Sequence, residues 1–400
     1  MAVRDDSLDG SVRRLNPAAL IYDPKVRAIV FQAALVIGVV VFVWWIVGNT
    51  VENLRRANIA SGFGFLSARA GFDVSQALIP YTSNSTYGQA FLVGLLNTLL
   101  VAAIGIVLAS IIGFVLGIAR LSKNWIIGRL ATVYVEVFRN IPVLLQLLFW
   151  YKAVLSVLPG PRQGVSIPGG GNLSNRGLIL PRPVFEPGFG ATAIAIVVAI
   201  VVAVVLANWA YRRRMATGQP FPTIKANLAI LIGLPLAVFV LSGAPLSLDY
   251  PELTGFNFVG GLHIQPEFLA LLLGLVLYTA AYIGEIVRAG ILAVSHGQTE
   301  ASYALGLQPG MTLRLVVIPQ ALRVIIPPLT NQYLNLTKNS SLAVAIGYPD
   351  LVSVFSGTVL NQTGQAVEVI LITMAVYLAL SLVTSAFMNW FNRRVALVER

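Results

Sequence analysis

The chain has 400 residues, of which 57% are hydrophobic and 11% charged, with a mean hydropathy of +0.80. A soluble domain carries about 25% charged residues, so this composition excludes a water-soluble globular protein and points to a membrane protein. The net charge of +11 does not indicate nucleic-acid binding, because basic residues such as Arg212-Arg213-Arg214 and Arg393-Arg394 flank apolar runs, as membrane anchors do. The chain has no cysteine and only two histidines, His263 and His296, which excludes disulfides and thiolate metal sites and leaves too few ligands for a histidine-based one.

Residues 1–28 are polar and read as a cytoplasmic tail. The first apolar run, Ile29 to Val47, is too long for the apolar core of a signal peptide. It also starts late and lacks a small-residue cleavage site after it, so it reads as a retained helix over 29–48. A polar loop rich in Gly, Ser and Asn follows to residue 88. Further helices are predicted over 90–119, 131–158, 191–210, 226–243, 267–294, 329–350 and 366–390, giving about eight spans of the roughly 20 residues a bilayer requires. The runs are continuous rather than alternating, which argues against a β-barrel. The stretch 159–190 is dense in Pro and Gly and reads as a loop, and 295–328 as a polar, Pro-punctuated connection. The segment 329–350 carries Asn331, Gln332, Asn335, Lys338 and Asn339, so it either spans with a polar face turned to protein or water, or is re-entrant or interfacial.

Lys and Arg placement sets the orientation. With both termini cytoplasmic, the inner segments hold 18 of these residues and the outer loops 6. The domain reading is a tail over 1–28 and an extra helix with its periplasmic loop over 29–89. The main transmembrane domain covers 90–390, with an insertion at about 159–245 and the connection at 295–328, and a cytoplasmic terminus occupies 391–400. The fold class is all-α, a polytopic transmembrane bundle.

The chain has no Gly-x-x-x-x-Gly-Lys-Ser/Thr loop to cradle nucleotide phosphates, no nucleophile elbow and no paired carboxylates. It therefore reads as no enzyme, with no cofactor or metal of its own, and ATP-driven work would need another subunit. The most informative segment runs from His296 to Gly310. Thr299 is a plausible N-cap, Glu300 suits the first turn near the positive end of the helix dipole, and Gly306 can adopt the left-handed conformation that ends a helix. A helix over about 299–305 results, with Ala301, Ala304 and Leu305 on one face. Two turns are not stable in isolation, so this helix rests either on its own bundle or in a partner's groove.

This segment resembles the cytoplasmic signature of ABC importer permeases, which reads Glu-Ala-Ala, three residues, Gly, nine residues, Ile, any residue, Leu-Pro. Here it stands as Glu300-Ala301-Ser302, Gly306, Val316, Val317 and Ile318-Pro319, with small or aliphatic departures at Ser302, Val316 and Ile318. The run Tyr282–Ile291 before it resembles the polar-amino-acid subfamily. So do Ile318–Arg323, Pro327-Pro328, Lys338–Leu342 and, with departures at Asn140 and Ile141, Phe138–Pro142. The extra N-terminal helix and the pair at 191–243 are similar to the longer permease of general L-amino-acid importers.

The resemblance implies the type I importer permease fold in a bacterial inner membrane, with Glu300, Ala301, Ser302 and Gly306 as the contact to the ATPase. It implies as partners an ATPase dimer holding ATP and magnesium, a second homologous permease and a periplasmic amino-acid-binding protein, and no nucleic acid. Polar residues inside the predicted spans are candidates for the substrate path: Asn97, Thr98, Gln146, Glu285, Arg288, Asn331, Asn335 and Lys338. Glu285 and Arg288 are spaced to pair with each other, or to receive the two charges of an amino-acid zwitterion. Asn331, Asn335 and Lys338 share one helical face, which either lines the path or pairs helices. Gly105, Gly113 and Gly117 read as packing contacts. The alternative function is a self-contained secondary transporter or channel, which has no use for an exposed two-turn cytoplasmic helix.

Overall fold

A computed structural model describes residues 24–56 and 61–395. Most of the expected N-terminal tail and the last five residues lie outside them. Helix α1 (Pro24–Arg56) is followed by a loop that carries a 3₁₀ turn at Gly64–Ser67. The loop leads into α2 (Tyr87–Ala119), which starts at a capping box: Thr86 accepts from the Gln89 amide and the Gln89 side chain accepts from the Thr86 amide. Among the described residues seven helices are long and apolar enough to span, and an eighth is completed by a bent pair, α3 (Trp125–Asn140) with α4 and its π-helical continuation (Val143–Leu148, Phe149–Leu155).

That pair corrects the single helix expected over 131–158, because its halves meet at 105°. Pro142 supplies the reason. It disfavours the helical region for Ile141, which is extended at φ −99°, ψ 126°.

The Pro/Gly-rich insertion is not a plain loop. It forms β1 (Val165–Ile167), β2 (Gly171–Ser174), β3 (Gly177–Leu180) and β4 (Arg182–Phe185), then the helix pair α5 (Phe189–Thr217) and α6 (Thr223–Leu241). It returns through β5 (Leu246–Asp249), β6 (Glu252–Thr254), β7 (Asn257–Val259) and β8 (Leu262–Ile264). All pairings are antiparallel: a four-stranded sheet in the order β1-β2-β3-β8 and two ribbons, β4-β5 and β6-β7. Short strands broken by Gly at positive φ, such as Gly177 and Gly261, leave little periodicity to read in the sequence.

Helix α7 (Pro266–Leu292) is the centre of the bundle and buries residues along its whole length. It is followed by α8 (His296–Ala304), α9 (Pro309–Thr312) and a π-helical turn at Leu313–Val317. The long α10 (Ile318–Asn339) then continues as a 3₁₀ segment, Ser340–Ile346. The expected connection 295–328 is thus largely helical, and the span placed at 329–350 begins near 309 and ends at 346. Pro319, Pro327 and Pro328 are carried inside α10 rather than ending it. Chain reversal follows at Gly347 (φ +78°), then a π-helical stretch Val352–Val359, α11 (Leu360–Thr363) and α12 (Ala366–Val395).

The core forms where α2 meets α7. A Cβ added at Gly113 would lie 2.5 Å from the Ile283 Cβ, and one at Gly117 would lie 2.6 Å from the Val287 Cβ. Lipid tails are as apolar as the helices, so van der Waals approach of backbones, not the hydrophobic effect, drives this packing. Gly105 approaches Leu336 of α10 in the same way, as expected of the three glycines. A second cluster joins Phe65 of the loop to Leu351, Phe355, Val359 and Val369. A polar tie reinforces it, because the Gly62 amide donates to the buried Glu368 carboxylate at 2.5 Å.

Candidate transport and coupling site

Helix α8 is cut off on both sides. It starts at His296 after Ser295, whose side chain makes no capping bond, so Thr299 is interior rather than the N-cap and Glu300 stands in the second turn. Glu300 instead accepts from, or pairs with, His296 one turn back at 3.0 Å. The C-terminus closes as a Schellman motif: the Leu307 amide donates to the Ser302 carbonyl at 3.1 Å and the Gly306 amide to the Tyr303 carbonyl at 2.9 Å. Gly306 sits at φ +75°, which the motif requires and which costs an L-residue about 1–2 kcal/mol. Ser302 is buried and donates to the Gln298 carbonyl, and Gln298 meets Gln320 of α10. Glu300, Ala301, Tyr303, Ala304 and Leu305 remain exposed, Leu305 at 81%. The helix therefore rests on its own chain along one edge and offers a small, apolar face outward along another.

Glu285 and Arg288 of α7 do pair, through two contacts at 2.6 and 3.1 Å. The structure adds a third member, because Arg120 at the C-terminal end of α2 also grips Glu285. One carboxylate thus holds two guanidinium groups and locks the end of α2 to α7, two turns before α7 leads towards α8. Arg120 follows directly on a predicted helix, and only the packing of α2 on α7 brings it to Glu285.

The remaining path candidates separate into two kinds. Asn97 and Thr98 are fully buried and engaged with backbone. Asn97 donates to the Gln76 and Pro349 carbonyls at 2.8 and 2.9 Å, and the Thr98 hydroxyl accepts from the Leu351 amide at 3.0 Å. They hold the break after α10 in place. Non-helical backbone at membrane depth is tolerated only where protein satisfies it. Gln146 acts likewise at the elbow, donating at 2.9 Å to the Phe138 and Ile141 carbonyls that Pro142 frees. Asn331, Asn335 and Lys338, by contrast, stand exposed in a row on α10. Lys338 borders a cavity of about 440 Å³ together with Ser341, Val352, Tyr377 and Ser381.

Sequence reading missed Tyr348 and Asp350. The Tyr348 hydroxyl lies between Gln76 and the Asn97 carbonyl, and Asp350 accepts from the Ser353 amide at 2.8 Å and from Tyr377 at 3.3 Å. Their signal was the group Gly347-Tyr348-Pro349-Asp350, turn residues with a lone carboxylate set between two apolar stretches.

The arrangement is a bundle with a broken helix, a polar row along α10 and a short helix presented on one face. Residues 219–397 match the family model described as "Binding-protein-dependent transport system inner membrane component". The chain is 58% identical to the general L-amino acid transport system permease protein AapQ of Rhizobium johnstonii, over 95% of this chain and 94% of that one. It is 54% identical to the putative amino-acid ABC transporter permease protein YhdX of Escherichia coli, over the full length of both. It is 43% identical to the glutamate/glutamine/aspartate/asparagine transport system permease protein BztB of Rhodobacter capsulatus, over 95% and 96%. With its broken transmembrane bundle and exposed two-turn helix, the chain belongs to the ABC importer permeases of the binding-protein-dependent transport family, as a multi-pass inner-membrane component.

Proposed function

We propose that this chain is one half of the permease pair of an ATP-driven importer of L-amino acids. It alternates between outward and inward states as a separate ATPase dimer closes and opens beneath it. ATP and magnesium are held by that dimer, and this chain contributes no catalytic group. The observation that carries the reading is α8: a helix too short to stand alone, pinned along one edge through Ser302 and Gln298, with Glu300, Ala301 and Leu305 turned outward. We assign Glu300 and Ala301 to the ATPase contact, and Ser302 and Gly306 to setting the pose of the helix. Both termini lie in the cytoplasm, an external solute-binding protein delivers the substrate, and the second permease is a related chain. The names of the relatives, each a permease for amino acids, support the substrate class.

Within the membrane, we place the path along Asn331, Asn335 and Lys338. Asn97, Thr98 and Gln146 serve it from behind by holding the backbone, and Glu285 with Arg288 belongs to the α2–α7 lock. The deciding experiment is ATP-dependent amino-acid uptake in vesicles holding all subunits, comparing wild type with Glu300→Arg plus Gly306→Leu. Loss of both uptake and ATPase copurification, with the membrane chain still inserted, is the expected result. Uptake that persists, or proceeds without the ATPase, would establish a self-contained carrier instead.

A further inference from the structure

The helix pair α5–α6 is chemically unlike the rest of the chain. Between Glu186 and Asp249 there is no acidic residue, and the four cations in that stretch, Arg212, Arg213, Arg214 and Lys225, gather on either side of one turn. The turn lies at the far end of the pair from the β4-β5 ribbon through which both helices enter and leave. None of the four has a carboxylate within 4 Å among the described residues, whereas Arg120 and Arg288 share Glu285. Arg213 lies over the Trp209 ring at 5.4 Å and Trp209 meets Phe221 edge-on at 5.4 Å, which puts an aromatic anchor beside the charges. Such aromatic residues sit at the headgroup level of a bilayer.

The flanks above the turn are apolar and uncovered. Val197, Val201, Val205, Ile224, Leu228 and Leu231 are all exposed, and α5 packs on α6 but forms no substantial contact with the bundle. Charge complementarity selects the occupant: four unneutralised cations in one interfacial turn, below a continuous apolar wall, match an anionic headgroup joined to acyl chains.

We propose that the α5–α6 turn is a binding site for anionic phospholipid, with the headgroup held by Arg212, Arg213, Arg214 and Lys225 and the acyl chains lying along the two helices. The pair is then an outrigger seated in lipid at the end of the β4-β5 ribbon.

The chain's lack of cysteine makes a local test direct. A neutral fluorophore is placed on Gln219→Cys in the assembled transporter, in bilayers of phosphatidylcholine with a minor fraction of phosphatidylglycerol. Energy transfer to headgroup-labelled phosphatidylglycerol is compared with transfer to headgroup-labelled phosphatidylcholine. The expected local enrichment of the anionic lipid is about tenfold or more, since each basic residue near the surface contributes about 1 kcal/mol. It should fall to near parity at high salt, where screening shortens the range to about 3 Å, and in the variant R212Q/R213Q/R214Q/K225Q. It should persist in R212K/R213K/R214K. Before the fluorophore is attached, an impermeant thiol reagent applied to unlabelled Gln219→Cys protein checks that the turn stays on one side. The salt series needs no neutralised variant and decides alone if that variant inserts the other way round. Equal transfer to the two lipids in wild type, or enrichment that survives high salt, would overturn the proposal.

Discussion

Helices α6 and α7 are both apolar enough to cross a bilayer, yet α7 buries thirteen residues and α6 none. The difference lies in what each offers a neighbour. Helix α7 presents Gly274, Gly284 and Gly290, each so close to another element that a Cβ would meet Leu147, Leu116 or Ile325, and it carries Glu285 to receive two arginines. Helix α6 presents Leu, Ile and Val around Gly233, which faces open space. In a membrane, apolar character places a helix in lipid. Small residues and polar pins decide which helices leave lipid for one another.

The sharpest way to break this contrast is to overfill the α2–α7 seam. Gly113→Val with Gly117→Val places branched side chains where a single Cβ already meets Ile283 and Val287. At about 1–3 kcal/mol or more for each overpacked site, the assembled complex should be lost or its melting temperature sharply lowered in a detergent thermal-shift assay. The matching change Gly233→Ala in α6 should leave the melting temperature unchanged or slightly higher, since Ala favours helix by about 1 kcal/mol and meets nothing there. A low-yielding Gly233→Ala would mean that α6 packs on a partner.

Next in size is the ion lock. Glu285→Gln leaves Arg120 and Arg288 facing each other across a half-buried site and should cost about 1–3 kcal/mol, more than losing an exposed pair and less than breaking a fully buried one. The readout is thermal stability, together with ATPase stimulation in the assembled transporter. Asp249→Asn, which removes the exposed Arg182–Asp249 pair of the ribbon, should cost no more than about 1 kcal/mol. Comparable losses in the two variants would refute the claim that the lock belongs to the core.

Smaller effects are expected where a local conformation is at stake. Gly306→Ala meets no side chain but must hold φ +75°, so it should loosen the end of α8 by about 1–2 kcal/mol. Uptake should fall several-fold while the bundle keeps its melting temperature. Gln146→Leu removes both amide donations at the elbow and should destabilise by about 1–3 kcal/mol, read from the melting temperature.

Much of this molecule was legible in advance. Continuous apolar runs gave the spans, charge placement gave the orientation reading, and the spacing from Glu300 to Gly306 gave the short helix and its glycine stop. The errors cluster where local signals conflict. Pro142 lies within an apolar run that reads as one helix, although the residue before it cannot stay helical. Pro319, Pro327 and Pro328 read as marks of a connection, although burial of Ala321, Ile325, Ile326 and Leu329 on one side keeps α10 intact across them. Thr299 has the chemistry of an N-cap, but the chain had already turned helical at His296. The strands of the insertion are three or four residues each, too short to show a period of two.

By itself, the sequence determined which segments enter the membrane, because transfer from water to lipid is a property of each segment alone. It also determined where α8 must stop, because only glycine accepts the left-handed turn at low cost. The tertiary structure alone decided the fate of the polar residues. Asn97, Thr98 and Gln146 look in sequence like Asn331, Asn335 and Lys338, but the first three are spent on backbone carbonyls and amides from distant or broken segments, and the last three stand open. A polar side chain inside a membrane must find a partner, and which partner lies within reach is fixed by how helices far apart in sequence cross.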